Sequence, residues 1–222
     1  MNRKQFSDEQ LLAVAQQVLQ QIKKTQAHSE NKQIPVGISN RHIHLSQQDL
    51  ETLFGVGAEL TPKNYLSQPG QFASQQTVAV VGTKSTIHNV RVLGPVRSVS
   101  QLEISRTDSF QLGIKAPINE SGDLTKAGAA LIVGPKGVVH LDQHVIIAKR
   151  HIHMSSEDAK RLDVAQGEAV AIKTIGERPA IFYDTIVRIS DQFRLECHLD
   201  MDEANAAGLG NKNTFVEIVK DR

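Results

Sequence analysis

The chain has 222 residues, enough for one large domain or two small ones, and its 40% hydrophobic content supplies a core that needs no disulfide. Its 25 basic residues against 24 acidic ones leave no electrostatic footprint for nucleic acid, which excludes a polyanion-binding role. The single cysteine, Cys197, makes no internal disulfide, and the chain reads without a secretory leader or a bilayer-length apolar run, so a cytosolic location away from membranes is expected.

The first predicted element is a helix over FSDEQLLAVAQQVLQQIKK. Ser7 can cap it, Gln10 takes the capping-box position, and Phe6 can staple against Leu11. Leu11, Val14, Ala15, Val18, Leu19 and Ile22 fall on one side and a row of glutamines on the other, which makes the helix amphipathic. TQAHSENKQ follows as a polar, aperiodic linker, and ordered chain is expected from about Ile34. The helix either packs on its own domain or docks its apolar stripe on another protein.

Beyond the linker, short β-branched runs alternate with turn residues: VAVVG, STIHNVRVLGP, AALIVGPKGVVHL, VIIAKRHIHM, EAVAIKTIG, AIFYDTIVRIS and FRLECHL. The pattern predicts a mainly β protein built as small barrels or sandwiches. VGTKS and GPKG read as hairpin turns, so Gly82, Gly134 and Gly137 serve the backbone, and no nucleotide-binding glycine loop occurs.

The segment VGISNRHIHLSQQDLETL aligns with VIIAKRHIHMSSEDAKRL. Arg41 pairs with Arg150, His42 and His44 with His151 and His153, Ser46 with Ser155, and Asp49 with Asp158. Each copy is a strand running into a short helix that its serine caps. A fainter match sets VRVLGPVRSVSQLEISRTD against IVRISDQFRLECHLDMDE, pairing Arg91 with Arg188 and Glu103 with His198. An internal duplication of a β unit explains both matches.

Residues two apart on a strand face the same side, so each His-x-His pair can present two imidazoles to one ion. His42, His44 and Glu103 make one candidate ligand set, and His151, His153 and His198 the other. Three protein ligands with a position left open is the pattern of catalytic zinc, and zinc is the first choice over cobalt, nickel or iron. The competing reading is that the histidines only hydrogen-bond at the helix starts. Arg97, six residues before Glu103, can reach the same site and suits a phosphate or carboxylate group; a surface salt bridge is its alternative. Arg41 and Arg150 alternate away from the histidines and are assigned to pairing or packing, and Cys197, which faces opposite His198, to the core.

SNRHIHLS, VLGPVRSVSQLEISRTD, APINESGDL, AKRHIHMS and LECHLDMDEANAAG occur in the order found in the PduL-type phosphate propanoyltransferases, the phosphotransacylases of bacterial microcompartments, and the resemblance runs from Ile34 to the C-terminus. It implies two small β-barrels from a duplicated unit, capped by short helices: residues 34–40 with 149–222 in the first and 41–148 in the second, with 55–75 serving contacts in a homodimer or larger oligomer. It also implies two zinc ions held by the six residues above, phosphate at Arg97, and coenzyme A near Ser121, Arg91, Leu93, His198, Asn205 and Lys63. The implied reaction is reversible transfer of a short acyl group, propanoyl by preference, between coenzyme A and phosphate in propanediol-type microcompartment metabolism. Residues 1–33 then become an encapsulation peptide and linker, with residues 6–22 meeting shell or core proteins in the microcompartment lumen. The rival activity is a two-metal hydrolase of thioesters or acyl phosphates; a zinc-stabilised scaffold without turnover is a third reading.

Overall fold

The computed structural model describes residues 12–21, 32–210 and 214–219. Helix α1 (residues 12–21) precedes β1 (Ile34–Ser39), β2 (His42–Ser46), α2 (Gln47–Phe54), β3 (Pro62–Tyr65), β4 (Phe72–Val81), β5 (Thr86–Arg97) and β6 (Gln101–Glu103). Next come α3 (Arg106–Leu112), β7 (Ile118–Asn119), β8 (Gly128–Val133), β9 (Val138–Ala148), β10 (His151–Met154) and α4 (Ser156–Leu162). The chain closes with β11 (Ala169–Thr174), β12 (Ile181–Ile189), β13 (Glu196–Asp200), α5 (Met201–Ala206) and β14 (Phe215–Val219).

The mainly β expectation holds, and the strands close into two barrels. The first runs β1-β13-β10-β12-β11-β14 and closes through the antiparallel pair of β14 with β1. The second runs β4-β5-β2-β6-β9-β8, with β8 pairing both β4 and β9, while β3 and β7 lie outside the ring. Each barrel packs its own core. Ile43 and Leu45 fill one, Ile152 and Met154 the other, all with no accessible surface. Burying one such side chain contributes about 1.5–3 kcal/mol, and period-two alternation turns the intervening histidines out of the barrel.

The repeat is visible in the ladders. Strand β2 lies between parallel β5 and antiparallel β6, and β10 lies between parallel β12 and antiparallel β13. VIIAKRHIHM, expected as one strand, is two, because the chain changes barrel at Lys149 and Arg150. The same exchange occurs at Asn40 and Arg41, where β1 of one barrel hands over to β2 of the other. Both His-x-His pairs therefore sit immediately after a crossover.

Ser46 and Ser155 cap α2 and α4 by accepting from the backbone N–H of Asp49 and Asp158, as expected. Capping boxes start α3, from Ser105 and Asp108, and α5, from Asp200 and Glu203. The four strands β2, β6, β10 and β13 thus each run into a capped helix. Arg41 reaches Asp108 at 2.7 Å and Arg150 reaches Glu203 at 2.8 Å, so each arginine ties a histidine strand to the helix after its partner strand. The GPKG turn closes with Gly134 N–H donating to the Gly137 carbonyl, and a Cβ at Gly134 would lie 2.4 Å from the Leu53 carbonyl oxygen. Backbone proximity explains that glycine.

Every described residue of α1 is exposed, including Leu12, Val14, Val18 and Leu19 of its apolar stripe. The expected cap and staple at Phe6, Ser7, Gln10 and Leu11 lie outside the described residues, as does most of the linker. Among the described residues no helix is long and apolar enough to cross a membrane.

Candidate active site

Sheet register builds two side-chain triads. His42 stands opposite Glu103 on β6, and His151 opposite His198 on β13. Within each triad one nitrogen or oxygen atom of every residue lies within 4.8 Å of the others, so each group could hold a metal ion.

The ring nitrogens follow one scheme in both triads. His42 Nδ1 is 2.8 Å from the Asn40 carbonyl and His151 Nδ1 is 2.9 Å from the Lys149 carbonyl. A carbonyl only accepts, so the proton sits on Nδ1 and each Nε2 keeps its lone pair. His42 Nε2 lies 3.4 Å from Glu103 Oε2. His44 Nδ1, His153 Nδ1 and His198 Nε2 are buried and make no hydrogen bond. An unsatisfied buried polar atom costs about 1–3 kcal/mol, and such atoms clustered with a carboxylate and further imidazoles fit a cation. Phe193 stacks on the His153 ring at 4.1 Å and fixes its plane.

Burial, then the nearby charges of His42 and Arg97, lowers the His44 pKa to about 3. Burial likewise takes His153 to about 3, with His151 and Arg188 adding to the effect, and desolvation lowers His151 and His198. For Glu103 burial acts upward, yet His42, His44, the Ser121 hydrogen bond and Arg97 outweigh it and hold the carboxyl at about 2. His44, His151, His153 and His198 are therefore held neutral and Glu103 ionised at neutral pH, the protonation states that metal ligands need.

These shifts predict acid lability of the metal-free protein. The unfolded chain takes up protons on the histidines below about 6.5, while folded His44 and His153 stay neutral until about pH 3. The unfolded state thus binds more protons across that window, and stability falls as pH falls through it. Glu103 adds to the loss between the ordinary carboxyl value of 4.5 and about 2. The thermal midpoint of chelator-treated protein is expected to drop steadily from pH 7 to pH 4; a flat profile would contradict these environments.

Both triads line one cavity of about 540 Å³, within the usual range for small-molecule sites. Arg97, Arg91, Leu93 and Ser121 also line it. Ser121 Oγ donates to Glu103 Oε1 at 2.8 Å and is 3.4 Å from Arg97 Nη1. Gln101 Nε2 donates to the same Glu103 oxygen at 2.6 Å. Arg91 spends Nη1 on the carbonyls of Ser74 and Gln75, at 3.0 and 2.9 Å. Lys63 on β3 and Asn205 on α5 are exposed and are not among the cavity-lining residues.

Sequence reasoning missed four contributors: Arg188, Gln101, Glu196 and the loop of Leu66, Ser67, Gln68 and Gln71, which walls the cavity from within the region assigned to dimer contacts. Arg188 had appeared in the alignment against Arg91. The ladders place Arg188 beside His153 and Leu93 beside His44, so Leu93, not Arg91, is its counterpart.

A model of the family described as phosphate propanoyltransferase matches residues 35–210. The chain is 53% identical to a phosphate propanoyltransferase of Thermotoga maritima over 188 residues, covering 84% of this chain and 89% of the relative. It is 48% identical to one of Salmonella typhimurium, covering 90% and 96%, and 47% identical to one of Lachnoclostridium phytofermentans, covering 91% and 95%.

Proposed function

The chain belongs to the phosphate propanoyltransferase family of acyltransferases, and from that premise we propose that it is a zinc-dependent enzyme interconverting a short-chain acyl-CoA and phosphate with acyl phosphate and coenzyme A. The observation that carries this reading is the convergence of both triads with Arg97 on one cavity. His42, His44 and Glu103 would hold one ion and His151, His153 and His198 a second. When bound, zinc supplies a Lewis acid for an acyl or phosphoryl oxygen and a thiolate acceptor.

The remaining chemistry falls to the chain's own side chains. Arg97 orients phosphate and neutralises part of its charge. Ser121 and Gln101 fix the Glu103 carboxylate by hydrogen bonds. A phosphate oxygen attacks the thioester carbonyl, forming the C–O bond of the acyl phosphate, and the C–S bond breaks with its electron pair leaving on the coenzyme A thiolate. Leu93 and Ser121 on the cavity wall support contacts to coenzyme A; Lys63 and Asn205 would reach it from outside the cavity. The deciding experiment measures release of free coenzyme A from acetyl-, propanoyl- and butanoyl-CoA with and without phosphate. Phosphate-dependent release, fastest with propanoyl-CoA, is expected. Release without phosphate would instead establish a hydrolase.

The exposed stripe of α1 supports a docking role for the N-terminal helix, as an encapsulation peptide meeting microcompartment shell or core proteins. Deleting residues 1–30 should leave turnover in solution intact and abolish co-purification with shells; undiminished shell association would refute it. Exposed Val56 and Tyr65 support a self-association face within residues 55–75.

A further inference from the structure

We propose that Phe193 and Leu66 form the apolar wall that receives the acyl chain, so that these two side chains set which acyl-CoA the enzyme accepts. This rests on the acyl-transfer reading above and adds a subsite that its polar groups do not supply.

The cavity is lined mostly by charged and polar groups, and among the described residues its apolar side chains are Ile38, Leu66, Leu93 and Phe193. An alkyl tail is stabilised by leaving water for apolar surface, so its subsite lies among these four. Ile38 stands beside core Leu199 in the ladder of β1 with β13, and alternation turns it away from the face of Gly37 and His198. Leu93 stands beside His44, on the strand that also carries Arg97. That is the phosphate side of the cavity. Phosphate held by Arg97 attacks the thioester carbon from there, so the acyl group extends across the cavity toward the His153 triad. The Phe193 ring covers His153, with 4.1 Å between centroids and planes 22° apart.

Local sequence fixes where the two side chains stand. Phe193 ends a turn between β12 and β13, its N–H donating to the Ser190 carbonyl at 2.9 Å. Leu66 opens the connection from β3 to β4. There Pro69 and Gly70, with φ of 76° at the glycine, shape a turn that Gln71 N–H closes on the Gln68 carbonyl at 3.2 Å. Leu66 N–H donates to the Gln71 carbonyl at 3.0 Å and folds the loop onto its stem.

Gln68 joins the two connections, of which one leads into β4 of the second barrel and the other into β13 of the first. It is buried, donates to the Arg194 carbonyl at 3.0 Å and accepts from the Arg194 N–H at 3.2 Å. A buried amide satisfied on both sides by one backbone unit holds that backbone in place. Leu66 is two positions before this junction on one chain segment and Phe193 one position before it on the other, and both line the cavity. The wall is thus assembled from two barrels at a fixed separation, which makes it a limit on chain length. Hydrophobic pockets separate substrates differing by one methylene by about 10–200-fold.

The test measures kcat/KM for acetyl-, propanoyl-, butanoyl- and hexanoyl-CoA at saturating phosphate in wild type, Phe193→Ala and Leu66→Trp, with zinc content alongside. Phe193→Ala removes a ring and should raise the butanoyl-to-propanoyl ratio by about 10-fold or more, whatever the lost stacking on His153 does to the absolute rates. Leu66→Trp thickens the wall and should lower the propanoyl-to-acetyl ratio by a similar factor; Leu66 is 38% exposed, so the substitution spares the core. A ring that only steadied His153 would depress all four substrates equally. Unchanged ratios in either variant would overturn the inference. Should Phe193→Ala fail to fold, Phe193→Leu carries the same readout with a smaller shift, and an unchanged ratio there overturns it equally. A wild type that releases coenzyme A without phosphate would sink the proposed transferase, while the chain-length ratios of that hydrolysis would still judge the wall. A wild type inert toward every acyl-CoA would overturn both.

Discussion

Replacing Arg97 with alanine is expected to lower phosphate-dependent turnover by about 10²–10³-fold, the scale of losing one preorganised charge-stabilising donor, while both metal equivalents stay bound. The reason lies in how the donors around Glu103 are shared. Ser121 and Gln101 already hydrogen-bond the carboxylate, and His42 Nε2 is 3.4 Å away, so the triad keeps its shape without the guanidinium. Among the described residues Arg97 makes one long hydrogen bond, 3.4 Å to Ser121, and its side chain lines the cavity. Burial destabilises its charge, Glu103 supports it, and Arg188 opposes it. A dianionic phosphate between the two arginines would relieve that repulsion and use the free donors in a bidentate fork. Arg97→Lys should recover only part of the rate, because an ammonium cannot make the fork. The measurement is kcat and phosphate KM beside zinc content; a rate within twofold of wild type would remove Arg97 from the chemistry.

The six triad residues were legible because two independent regularities coincide on them. Period two puts His42 with His44 and His151 with His153 on shared faces, and the duplication supplies Glu103 and His198 by position. The serine caps were legible for the same reason, since Ser46 with Asp49 and Ser155 with Asp158 repeat a local motif. What escaped depends on tertiary register. Arg188 was misaligned by two residues because matching it to Arg91 takes a two-residue gap, whereas Leu93 and Arg188, which the ladders set beside His44 and His153, stand at equal spacing before Glu103 and His198. Strands β6 and β7 span three and two residues and take their geometry from neighbours, so no pattern of their own announces them. Gln68 and Glu196 meet across 128 positions of sequence, and nothing local in QPGQ or LECH indicates the partnership. The crossover inside VIIAKRHIHM escaped because both halves are equally strand-like and only their partners differ.

Removing the metal is expected to have the largest effect of all. Full chelation should abolish turnover, and His44→Ala or His153→Ala should each cost one zinc equivalent and about three orders of magnitude in rate, the several kcal/mol that Lewis-acid polarisation contributes. The single losses should not add, because residues acting as a unit give nearly the full penalty on the first deletion. Folding argues in the same direction. His44 is buried beside Glu103, and both belong to strands that also carry the barrel core through Ile43, Leu45 and Leu102. The barrel is thus held by apolar packing, with the triad that would hold the ion on its outer face, and metal-free protein should remain folded at neutral pH with a lowered thermal midpoint. Re-addition of zinc should then restore turnover to wild-type protein and only weakly to either alanine variant. Full activity in a metal-free, chelator-treated preparation would show that the histidines serve hydrogen bonding alone, while folding that collapses on chelation with no turnover in the holo form would make zinc a structural clamp.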